Sequence, residues 1–134
     1  HVRQPVSFPT TETCIDAAET ALAIRLPRSW RDRLLRANGG EVELAEGAWQ
    51  LFPVQDLSDR KRAGRTANHL VHETAVARTS HGFPADAVAI GEDGFGNYLV
   101  LRPAAPGRDL EDQVYSWDHE TGQLTGLGPC ESLE

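Results

Sequence analysis

Apolar residues recur at helical spacing in three stretches of this chain and at strand spacing in most of the rest. Ile15, Ala18, Ala21 and Leu22 form the first stripe. A cap at Thr11 or Thr13, with Glu12 and Asp16 in the first turn, predicts a helix that ends near Arg25. Pro27 suits the first turn of a second helix, where its missing N–H costs nothing. Trp30, Leu34 and Ala37 make that helix's stripe, and five arginines from Arg25 to Arg36 take its other faces. Asn38-Gly39-Gly40 tolerates positive φ and is expected to end it. The third stripe, Ala67, Leu70, Val71, Thr74, Ala75 and Arg78, predicts a helix from Thr66 to about Ser80, with Gly82 and Pro84 as stops.

The remaining runs read as strands: 41–44 and 48–54 around a turn at Ala45-Glu46-Gly47, then 87–91, 97–102, 113–117 and 123–127. Residues 1–10 read as an extended arm, 56–64 as a polar loop and 128–134 as a tail. Helices, strands, one helix, then strands joined by short links predict an α+β domain over 11–127. Its sheet is expected to be mixed but mostly antiparallel, with two N-terminal helices and one inserted helix packed on it. Val88 and Ile90 face one way and Ala87 and Ala89 the other, while Tyr98-Leu99-Val100-Leu101 is apolar on both faces. Such strands belong at the centre of a sheet.

Between those two strands lies Gly91-Glu92-Asp93-Gly94-Phe95-Gly96-Asn97. A dinucleotide-binding loop requires a helix to follow the glycines, and here a strand follows. A calcium loop requires a closing bidentate Glu, which the series lacks. Glycines between two apolar runs describe a hairpin turn.

Composition adds little beyond a globular class, with 40% hydrophobic and 25% charged residues. No apolar run approaches the roughly 20 residues of a membrane span, so a soluble, cytoplasmic protein is expected. The chain opens at His1 and holds no Met, so a trimmed piece is expected, with a removed targeting segment left open. It shows no basic segment leading into an apolar one. Two cysteines, Cys14 and Cys130, do not make a disulfide scaffold, so free thiols are favoured over a bridge. The charge is uneven: six arginines against four acids up to residue 36, then seven basic against sixteen acidic residues, within a net charge of −7. An acidic surface repels nucleic acid and steers toward basic partners, although solubility alone also explains it.

Residues of catalytic type do not converge on a recognised pattern. His69 and His72 stand three apart, a spacing that can pair metal ligands, but no second histidine completes a zinc protease motif after His72-Glu73. Solvated or capping histidines are the preferred reading, with a small metal-dependent hydrolase as the remote one. Neither cysteine lies in a nucleophile context, and the acids Asp109, Glu111 and Asp112 fall in a loop. No catalytic residue, metal or cofactor is expected.

Three segments carry a resemblance. Leu26-Pro27-Arg28-Ser29-Trp30 with Asn38-Gly39-Gly40, then Ala89-Ile90-Gly91-Glu92-Asp93-Gly94-Phe95-Gly96-Asn97-Tyr98, then Val114-Tyr115-Ser116-Trp117-Asp118-His119-Glu120, resemble the SUKH superfamily in its fungal cell-wall-regulator-like branch. The resemblance spans about residues 12 to 125. It implies an α+β fold and a non-enzymatic role. Many bacterial members are immunity proteins that bind and neutralise a cognate polymorphic toxin, often a nuclease; others are interaction adaptors. The expected partner is thus a basic protein, a toxin domain, with neither nucleic acid nor membrane involved and the oligomeric state open. The surface expected to meet it comprises Glu92, Asp93 and Phe95 of the glycine turn with Asp118, His119 and Glu120 of a second turn, provided both lie on one edge of the sheet. The acidic segment 41–46 is the next candidate, and Trp117 is expected to be buried rather than to anchor a partner.

Overall fold

A computed structural model of the chain describes residues 8–45 and 47–133; of the predicted arm, residues 1–7 lie outside the described residues. Thr11 caps the first helix, α1 (Glu12–Leu22), accepting the Cys14 N–H at 3.3 Å. Ile15 and Ala18 are its buried face. Pro27 stands one residue before α2 (Arg28–Arg36), whose Trp30 and Leu34 are buried. The arginines of α2 are not all solvated. Arg31, with its side chain 13% exposed, reaches back to Glu12 at 2.6 Å, Asp16 at 3.0 Å and Glu19 at 2.8 Å. Glu19 also accepts the Leu26 N–H at 2.7 Å, so one guanidinium and one carboxylate fix the corner between the helices.

The six strands are β1 (Gly40–Leu44), β2 (Gly47–Leu51), β3 (Val88–Glu92), β4 (Tyr98–Leu101), β5 (Val114–Trp117) and β6 (Leu124–Gly128). They lie side by side in chain order, each antiparallel to the next. Parallel pairing among the described residues is confined to an isolated bridge between Arg25 and Asp109. β3 and β4 take the central places, and every residue from Val88 to Gly91 and from Tyr98 to Leu101 is buried. This double-faced burial is what their uninterrupted apolar runs predict. The fold class expected from the sequence is therefore the one found.

Three local expectations change. The helix predicted over 66–80 is shorter, α4 (Leu70–Ala77), and the polar stretch read as a loop contains a separate helix, α3 (Arg60–Arg65). α3 buries no residue and so leaves no apolar period in the sequence. Its signal is the cap: Asp59 accepts the Arg62 N–H at 2.7 Å. Strand β2 stops at Leu51, although Phe52, Pro53 and Val54 are buried beyond it. Finally, α2 ends at Ala37 with extended backbone, and Gly39 and Gly40 follow the helix and lead into β1, with φ at 99° and 104°.

Of the predicted tail, residues 128–133 are described and pack on the body. A 3-10 helix at Cys130–Leu133 rests on α2, with Cys130 and Leu133 buried. Both cysteines are free thiols. Trp117 is fully buried; Phe83 meets its ring edge-on at 5.2 Å, and Tyr98 lies at 6.2 Å.

Two stability outcomes follow. A Cβ at Gly39 would stand 3.2 Å from the Leu51 carbonyl oxygen, on a backbone conformation that disfavours branched side chains. Gly39→Val is expected to lose ~1 kcal/mol or more in urea unfolding. Trp117→Ala is expected to lose about 3–5 kcal/mol, because the rings around it cannot close the space it leaves; an unchanged unfolding midpoint would contradict the packing described here.

Candidate functional site

The turn between β3 and β4 is built around one carboxylate. Asp93 Oδ1 accepts the N–H groups of Phe95 at 2.8 Å and Asn97 at 3.2 Å, and Oδ2 accepts the Asn97 side-chain amide at 2.8 Å. The tight path requires φ of 81° at Gly94 and 95° at Gly96. The turn between β5 and β6 has the same design. Asp118 Oδ1 accepts the N–H groups of Glu120 at 2.8 Å and Thr121 at 3.4 Å, and the Asp118 carbonyl accepts the Gly122 N–H at 2.7 Å. Each aspartate closes a local loop, as short acceptor side chains do in turns.

The two turns also lock to each other. Asn97 Oδ1 accepts the His119 N–H at 3.1 Å and lies 2.8 Å from His119 Nδ1. An amide oxygen only accepts, so this contact places the ring proton on Nδ1. The His119 ring sits so close to Gly96 that a Cβ there would be 3.1 Å from Nδ1. The absence of a side chain at Gly96 is what lets the turns meet.

The two turns thus bring together the six residues named from the sequence, five of them in two roles and Glu92 in a third. Asp93, Asp118 and His119 are engaged in holding the turns. Phe95 and Glu120 point outward, with Phe95 79% exposed and the Glu120 side chain 78% exposed. Beneath them a polar depression of about 310 Å³ is lined by Trp49, Asn97, Ser116, Thr125 and the two aspartates. Asn97, the residue that joins the turns, is absent from the surface expected from the sequence, where its signal is an oxygen-bearing side chain directly after Gly-Phe-Gly.

Glu92 is the electrostatic cost of this edge. It is half-buried at the end of β3, and burial, then Glu73 on α4 and its neighbour Asp93, raise its pKa above the ordinary 4.5. Burial and the same two glutamates also raise the Tyr98 hydroxyl. The histidine pair takes a helix-capping role: His69 Nδ1 accepts the His72 N–H at 3.3 Å to open α4. Among the described residues no three His, Cys, Asp or Glu side chains gather in a way that could hold a metal ion. No helix there is long and apolar enough to cross a membrane.

Comparison with protein families supplies the remaining context. A family model described as SMI1 / KNR4 family (SUKH-1) matches residues 9–130. The chain belongs to this family. A search of curated proteins found no match. Placed in this SUKH-1 chain, the glycine turn and the Trp-Asp-His-Glu segment acquire a physical meaning: they are the two halves of the Asn97–His119 contact.

A raised carboxylate pKa means that the folded state prefers the proton. Its stabilising effect is complete below pH 4.5 and is lost as pH rises through the folded value. Glu92→Gln is therefore expected to be more stable than the parent at pH 7, and the two should converge below pH 4.5. Urea unfolding across that range measures it, and a variant less stable at pH 7 would refute the assignment.

Proposed function

We propose that this SUKH-1 protein is a non-enzymatic immunity protein that binds and neutralises a cognate toxin domain, a basic protein of the nuclease class, through the edge formed by the two locked turns. The observation that carries the reading is Phe95: a large apolar side chain held almost fully in solvent on a turn too constrained to fold it away. An aromatic inside a charged rim is the usual form of an interface anchor. Because the turn is already ordered, binding through it forfeits little conformational freedom. The two turns are acidic, carrying Glu92 and Glu120, and a chain of net charge −7 attracts a basic partner from a distance.

This reading assigns separate effects to the two outward residues. Phe95→Ala is expected to speed dissociation by about tenfold or more, since a central aromatic anchor is commonly worth ≥2 kcal/mol. Glu120→Lys is expected to slow association at low ionic strength and flatten its salt dependence, while leaving stability unchanged because the side chain is exposed. The experiment is surface-based kinetics with the toxin domain encoded beside this gene, together with rescue of cells producing that toxin. Rescue by the parent and loss of rescue by Phe95→Ala support the proposal. Binding to a non-toxic protein through the same edge, without rescue, would instead make the chain an adaptor. Unchanged kinetics in both variants would place the interface elsewhere.

A further inference from the structure

A second concavity among the described residues is lined by no residue of either turn. It has a volume of about 620 Å³ and opens between the end of α2, the β1–β2 hairpin and α3, with Phe8, Arg33, Asn38, Gln50, Arg62 and Arg65 in its wall. Three guanidinium groups thus face one cleft, against the two carboxylates of Glu41 and Asp56 in the same wall, in a chain that is acidic as a whole. Like charges at short range repel, and each needs a partner or water.

Of the three, Arg62 has acidic partners: Asp59 lies at 2.6 Å and Asp56 at 3.8 Å. Arg33 has no carboxylate within 4.0 Å among the described residues. Its Nη1 donates to the carbonyls of Ala37 and Gly39, each at 3.0 Å, and its guanidinium lies 5.4 Å from the Trp30 ring. Burial, then the nearby Arg36, holds this guanidinium below its ordinary pKa. Arg65 likewise has no carboxylate partner among the described residues. It rests against the Phe8 ring at 4.7 Å, where Arg62 at 4.4 Å and Lys61 at 5.6 Å crowd the same ring.

Helix α3 sharpens the point. Its sequence, Arg60-Lys61-Arg62-Ala63-Gly64-Arg65, places four cations on six residues and contributes nothing to the core. Packing does not account for that composition. A planar guanidinium with free N–H groups matches the paired oxygens of a phosphate or carboxylate. The cleft's volume also falls in the roughly 300–1,000 Å³ range of small-molecule sites.

We propose that the cleft between α2, the β1–β2 hairpin and α3 binds a small oxyanion-bearing molecule whose phosphate or carboxylate groups sit between Arg33 and Arg65. This site shares no residue with the two turns and does not depend on their role. A ligand there ties α2 to α3 and stabilises the fold by mass action.

Thermal unfolding and calorimetric titration of the full chain with ADP, inorganic phosphate and citrate test the proposal, with sodium chloride at matched ionic strength as the control. A saturable rise in Tm beyond the chloride control is expected with at least one of them. Arg65→Glu and Asn68→Asp, both at exposed positions on the cleft wall, should each weaken binding by about tenfold or more, because a charge-assisted hydrogen bond is lost or opposed. Their circular dichroism spectra should match the parent. Binding of ADP and phosphate but not citrate would identify a phosphate compound, and the reverse a carboxylate compound; either supports the site. No saturable rise with any of the three, or one that survives in Arg65→Glu, overturns it. Binding of a tetraglutamate peptide in place of all three would also overturn it and give the cleft to an acidic protein segment.

Discussion

The whole body is assembled around five residues that belong to no helix or strand. Phe52 to Asp56 leaves the end of β2 and runs through the interior, with Phe52, Pro53, Val54 and Asp56 buried. A buried backbone outside a ladder must find hydrogen bonds one group at a time. Here the neighbouring segments supply them. The Phe52 N–H goes to the Ile90 carbonyl of β3 at 2.9 Å, and the Pro53 carbonyl accepts the first N–H of α4, from Leu70, at 2.7 Å. The Asn38 side chain brackets Val54, accepting its N–H at 2.8 Å and donating to its carbonyl at 2.9 Å. Thr66 accepts the Asp56 N–H at 3.0 Å just past α3. The junction after α2, the centre of the sheet, α3 and α4 are all placed by this strip. Thr74 repeats the device on β3, accepting the Ala89 N–H at 3.1 Å.

The sequence discloses what repeats and conceals what is met once. The apolar runs of β3 and β4 announce their central position because burial on both faces removes every polar residue from view. Trp30 and Leu34 likewise reveal the inner face of α2. The strip 52–56 continues the apolar character of β2, so the strand appears three residues longer than it is; only the Pro53 ring, which cannot donate to a ladder, marks the exit. α3 has no apolar face and therefore no period. At the candidate site each turn could be read from its own glycines and aspartates. Their contact could not, since Asn97 and His119 are twenty-two residues apart, and nothing local to either names the other. The arginine cleft was hidden for the same reason, with Arg33 and Arg65 on different helices.

Charge is sorted in space more sharply than along the chain. The turns β3–β4 and β5–β6, at one end of the strands, carry Glu92, Asp93, Asp118 and Glu120, and Glu73 adds to the field at Glu92 from α4. Arg33, Lys61, Arg62 and Arg65 collect around Phe8 and the end of α2. Arg31 is a third case, a single cation outweighed by the three carboxylates of α1 that surround it. A net charge of −7 therefore conceals a local cluster of cations at the cleft, partly offset by Glu41, Asp56 and Asp59.

The strictly sequential order of the strands carries a consequence for how the chain reaches this state. Every strand pairs with the one made just before it, so the sheet can grow hairpin by hairpin while the protein is still being synthesised. Helix α2 cannot be finished on that schedule. Its cover is the 3-10 helix at Cys130–Leu133, anchored where Asp112 accepts the Cys130 N–H at 2.8 Å and the Ser29 hydroxyl at 3.0 Å. Helix α2, whose Trp30 and Leu34 are among the earlier core residues in the chain, thus acquires its last neighbour only when Cys130–Leu133 has been made.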